Sequence, residues 1–274
     1  MDISNLFAKS MRSQAWGEKA ARIMKAALDS VDPYKAVLNN LTIKNSSIHI
    51  GSKEYVLDSF DRIFLVGAGK AGQPMTEAVN QILGAHLLSG IVIIKEGYRN
   101  TKVLPNNIEI IEAGHPIPDE RGVSGSQKII DLLKKTTQDD LVICLISGGG
   151  SALMVSPVPG VSLNDLQKLT HELLASGATV NEINTLRKHL EQAKGGQIAR
   201  YAAPADVVSL ILSDVVGDPL EVIGSGPTVP DPTTYFDSLT ILDRLQIRNR
   251  VPESIVNHLI LGRDGKVAET PKPG

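Results

Sequence analysis

The sequence is nearly devoid of cysteine, poor in aromatic residues and without an excess of either charge. The single cysteine, Cys144, excludes an internal disulfide, and its place inside the apolar run LVICLI predicts a buried, inert thiol in a reducing compartment. With 28 basic and 30 acidic residues in mixed order, the formal net charge is -2. Such a surface exerts no long-range pull on nucleic acid or on an anionic membrane. Aromatic residues make up 4% of the chain and are not interleaved with basic ones, which excludes a stacking platform for bases. No segment approaches the roughly 18 unbroken apolar residues of a membrane span, and the N-terminus lacks the apolar core of a signal peptide. These absences predict a cytoplasmic protein whose partners are small molecules. A homo-oligomer is compatible with all of them.

What is present is enough chain, 274 residues, for a sizeable core. Trp16, Ala20, Ile23, Met24, Ala27 and Leu28 recur at three- and four-residue intervals, which predicts an amphipathic helix packed through that stripe. The alternating stretches LTIKNSSIHI and KEYVLDSF predict a small hairpin, so that residues 1–60 form a helix and hairpin packed on the main domain. From Asp61 the pattern changes to short continuous apolar runs, RIFLVGAG, GIVIIKEG, NIEIIEAG, LVICLISGGG and VVSLILSDVVGD, separated by helix-length segments. Strands buried on both faces read this way. Residues 61–250 are therefore expected to form an α/β fold, a doubly wound, mostly parallel sheet flanked by helices. Two helices are expected between Ser162 and Tyr201, the second running to Gly195-Gly196. Nearly every strand ends in glycine, serine or aspartate, at the carboxyl edge where open α/β sheets bind ligands.

Three of those endings point to anions. In FLVGAGKAGQPM, Gly67, Gly69 and Gly72 satisfy the G-x-G-x-x-G spacing of a dinucleotide turn, with Glu96 near the position of its acidic partner. Lys70 lies inside the same turn, where a dinucleotide needs no cation and a transferable phosphate does. In LISGGGSAL, Ser147, Gly148, Gly149, Gly150 and Ser151 can align several backbone donors around a phosphate. In SDVVGDPLEVIGSGPT, Asp214 and Asp218 are candidates for holding a magnesium ion; an aspartate after a strand also serves as a turn residue. EAGHPIPDERG holds Glu112, His115, Asp119 and Glu120, with His115 the candidate for substrate contact or proton transfer. Arg187, Lys188 and Lys194, read as one helix, are candidates for a cationic clamp on a substrate carboxylate or phosphate.

The segments VGAGKAG, EAGHPIPDERG, CLISGGGSALM, INTLRKHLEQAKGG and ILSDVVGDPLEVIGSGPTVPDPTT together resemble, in order, the N-terminal, Rossmann-like domain of the glycerate 2-kinases whose C-terminal part is the MOFRL domain. The resemblance implies transfer of the ATP γ-phosphoryl group to the 2-hydroxyl of D-glycerate with Mg2+, and it makes Lys70 the catalytic lysine. It also implies that residues 251–274 begin the connection to a second α/β domain, absent from this chain, which supplies a catalytic arginine. Two other readings stay open: an NAD(P)H-dependent hydroxypyruvate reductase and a non-catalytic nucleotide- or anion-binding module.

Overall fold

The computed structural model describes residues 3–274. Short helices α1 (Lys9–Arg12), α2 (Gly17–Ser30) and α3 (Pro33–Asn40) come first. An antiparallel sheet follows, β1 (Leu41–Lys44), β2 (Ser47–Ile50) and β3 (Lys53–Val56), one strand more than the expected hairpin. The main body then runs β4 (Arg62–Ala68), α4 (Gly72–Leu83), β5 (Leu87–Lys95), β6 (Ile108–Ala113), α5 (Glu120–Leu133), β7 (Asp140–Ser147), α6 (Gly150–Leu153), α7 (Leu163–Ala175), α8 (Val180–Leu190), α9 (Gln197–Ala202), β8 (Asp206–Leu212), α10 (Tyr235–Arg244) and α11 (Glu253–Arg263).

The five apolar runs are the five strands of one parallel sheet, in the order β6-β5-β4-β7-β8. β7 is buried at every position, as a central strand covered on both faces must be. One face packs α4 and the β1–β3 sheet through Leu41, Ile48, Leu65, Met75 and Ile143. The other packs α5, α6 and α9 through Val66, Ile93, Ile129, Cys144 and Ile198. Cys144 is fully buried, and burial pushes its thiol up to about 12. A third cluster, with Leu169, Leu186, Leu242 and Leu259, joins α7, α8, α10 and α11, so residues 253–263 form a packed helix.

Two local expectations change. The apolar stripe of α2 faces outward: Trp16 is 55% and Ile23 70% exposed, and the buried residues of that helix are Gly17 and Ala21. Small residues decide the contact, since a methyl group at Gly17 would come within 2.0 Å of Met11 O. The second expected helix is split. α8 stops at Leu190 because Glu191 turns extended (φ -134, ψ 136) and bridges to Pro157, and Gly195 and Gly196 carry left-handed φ values of 55 and 81 before α9 begins.

Candidate active site

Strand register assembles the carboxyl edge. In the parallel β4–β7 pair Ala68 lies opposite Ile146, which sets the Gly69–Lys70 turn beside Ser147 and Gly148. In β5–β6 Lys95 lies opposite Ala113, two residues before His115. In β7–β8 Ser147 lies opposite Leu212, which brings the Ser213–Asp214 turn beside Gly148.

The two glycine turns are joined. The Lys70 N–H donates to Gly148 O at 2.9 Å, and the Ala71 N–H donates to Ser147 Oγ at 3.1 Å. Gly69 has φ 149 and leaves no room for a side chain, because a methyl group there would meet Ser147 Oγ at 2.0 Å. Gly67 and Gly72 serve packing instead. A methyl at Gly67 would lie 2.3 Å from Leu145 O, and one at Gly72 would lie 2.9 Å from both Val92 and Ile94.

Around the triple glycine three side chains meet. A methyl group at Gly149, itself left-handed at φ 86, would come within 2.9 Å of His115 Nε2 and 3.2 Å of Lys70 Cε. One at Gly148 would come within 2.5 Å of Asp214 Oδ2. The geometry thus sets Lys70 and His115 against Gly149 and Asp214 against the neighbouring Gly148. The first N–H groups of α6 have no intrahelical acceptor, as in any helix, so Gly150 and Ser151 add donors beside them. Burial, with Lys70 and Lys95 behind it, lowers the pKa of His115 below the usual imidazole value, so the ring is neutral at pH 7. Lys95 is the residue that sequence reasoning passed over. It closes the apolar run IVIIK one position before Glu96, and that placement at a strand's carboxyl end was the available signal.

Other candidates lie elsewhere or are engaged. Glu96 is paired with Arg121 at 2.7 Å, Asp119 caps α5, and Glu112 accepts from the Gly97 N–H. Asp218 sits exposed at φ 50 in the turn after Asp214, its N–H bonded to Val215 O. Lys188 is buried against Asp231 at 3.2 Å. Lys194 is fully buried, off the helix, and donates to Ser151 O and Met154 O; Arg187 is partly buried and donates to Ser151 O and Glu191. These three cations therefore do not form one exposed clamp.

Behind α6 lies a buried hydroxyl chain that the sequence did not disclose. Ser225, a non-glycine residue at φ 64, lies between left-handed Gly224 and Gly226, bonds Ser151 Oγ at 2.7 Å and donates to Asn184 Oδ1 at 2.8 Å. Among the described residues no three His, Cys, Asp or Glu side chains converge to cage a metal ion. The Asp214 carboxylate reaches Gly148, and one carboxylate there suits an ion held mostly by water and phosphate oxygens.

Residues 19–260 match the family described as Domain of unknown function (DUF4147). A Pyrococcus horikoshii protein named glycerate 2-kinase is 42% identical over 255 residues, covering 93% of this chain and 56% of its own length. An Agrobacterium vitis protein whose name refers to a hydroxypyruvate reductase is 43% identical over 264 residues, covering 94% of this chain and 55% of its own length. A crystal structure of a P. horikoshii protein superposes with a TM-score of 0.86 at 41% identity, over 95% of this chain and 58% of that one. The chain thus spans a little over half the length of these relatives.

Proposed function

The chain belongs to the DUF4147 family, and from that premise we propose that it carries the ATP-phosphate site of a glycerate 2-kinase, which phosphorylates the 2-hydroxyl of D-glycerate. The observation that carries this reading is the meeting of Lys70, His115 and Gly149 at the carboxyl edge of the sheet. Phosphoryl transfer is catalysed chiefly by positioning and by positive charge facing the transferred group. Lys70 supplies the charge from a turn whose backbone is tied to the next one, so the backbone that carries it is set before the phosphate arrives. The backbone donors of Gly149–Ser151 hold the phosphate oxygens. Neutral His115 accepts a hydrogen bond from a substrate hydroxyl, and the charge of Lys95, whose ammonium lies over the Tyr98 ring, helps to keep the imidazole neutral.

Mg2+ is part of the proposal: Asp214 is the residue that would hold it, and a bound ion would neutralise phosphate charge. The reductase reading has less support. Its ribose-binding acid, Glu96, is engaged by Arg121, and its glycine turn contains a lysine. Calorimetry on this chain should register binding of ATP with magnesium and none of NADH, and a coupled assay with D-glycerate, ATP and magnesium should report phosphorylation. NADH binding without ATP binding would overturn the kinase reading. ATP binding with no turnover would fit both the binding-module alternative and a kinase domain that needs the arginine of a second domain.

A further inference from the structure

We propose that Lys194 is a positioning residue for this site, fixing the Ser151 end of the triple-glycine turn from behind while leaving one buried positive charge beneath it. The inference rests on the reading of that turn as a holder of phosphate. Lys194 is fully buried, and its Nζ donates to Ser151 O at 2.7 Å and to Met154 O at 3.0 Å, with Glu191 Oε2 3.3 Å away. Arg187 donates to the same Ser151 carbonyl at 2.8 Å and to Glu191 Oε1 at 2.8 Å. One backbone oxygen on α6 therefore takes two charged donors. Charge-assisted bonds of this kind are shorter and stronger than neutral ones, so the carbonyl is held hard from inside.

The charge itself matters. A buried ammonium is costly, and an apolar side chain of similar volume would fill the same space. Two cations share a single carboxylate, so the group carries one net positive charge behind donors that face the site. Among the described residues the titratable groups facing Lys194 are Arg187 and Glu191; the α6 side presents carbonyls, and Gly195 binds Ser225 O through its N–H. Burial pulls the ammonium down to about 8, while Glu191 opposes that shift and Arg187 adds to it.

Two variants test the assignment on the whole chain. In Lys194→Met, hydrogen exchange of the amides of Gly149–Met154 should accelerate about tenfold or more, on the scale of one lost hydrogen bond, with β4 and β7 still protected. ATP affinity should fall about tenfold or more, on the same scale of one lost charge-assisted hydrogen bond. In Glu191→Gln the ammonium loses its attractive partner, so the loss of ATP affinity on raising pH should have its midpoint below that of the wild type. Unchanged exchange in Lys194→Met overturns the proposal. If that variant loses protection throughout, the Glu191→Gln midpoint decides: a lower midpoint supports the assignment and an unmoved one overturns it. Should the wild type bind no ATP while Lys194→Met still frees the turn, the phosphate reading fails and the positioning role stands.

Discussion

His115 lies over Gly149 so closely that a single methyl group on that glycine would reach 2.9 Å from the imidazole Nε2. The contact makes the glycine obligatory twice over, since its φ of 86 also disfavours any side chain. Gly149→Ala should destabilise the fold by about 1–3 kcal/mol and displace His115 from Lys70. Thermal melts with ATP calorimetry would check this; a variant as stable and as tightly binding as the wild type would contradict the geometry.

Lys70→Ala should leave secondary structure and melting temperature close to wild type, because the side chain is half-buried and only its backbone N–H joins the turns. Phosphorylation of D-glycerate should drop by on the order of a hundredfold or more. Circular dichroism beside the coupled assay separates the two effects. Near-normal turnover would remove Lys70 from its proposed role.

Lys188 gives the opposite signature. Its ammonium is buried with the Asp231 carboxylate, which Thr233 and Thr270 also bond. Lys188→Ala should cost about 3–5 kcal/mol of stability, the penalty for leaving a buried carboxylate without its cation. In the folded fraction ATP affinity should stay near wild type. Denaturant unfolding measures the first quantity and calorimetry the second; lost affinity without lost stability would return Lys188 to the ligand site.

Acid should loosen the C-terminal segment. Burial alone would raise the Glu269 carboxyl, yet the His189 ring 3.0 Å away and the N–H groups of Thr270 and Tyr235 hold it at about 2. A carboxyl lower in the folded than in the unfolded state adds stability above the ordinary value near 4.5, and that stability is lost as pH falls toward 2. Melting temperature should therefore decline across that window, with a shallower decline in Glu269→Gln. Identical pH slopes for the two proteins would refute the linkage.

The sheet was legible in the sequence because parallel strands buried on both faces leave continuous apolar runs, and β7 is the clearest of them. The place of the glycine turns and Lys70 at the carboxyl edge was legible because each directly follows an apolar strand run. Lys194 was not. Helical periodicity continues past Leu190, and the extended turn at Glu191 accompanies pairing with Pro157, a contact distant in sequence that no local pattern reveals. The outward face of α2 was hidden for a related reason: periodicity identifies an amphipathic helix but does not say which face its neighbours cover. The Ser151–Ser225–Asn184 chain joins three separate segments and exists only after folding.

The bond from the Lys70 N–H to Gly148 O has a mechanical meaning. It fastens two turns from neighbouring central strands into one plate, and neither can swing without shearing the other. That plate is a fixed jaw. On the reading proposed above, a phosphate would meet backbone donors that are already in place and leave them unmoved.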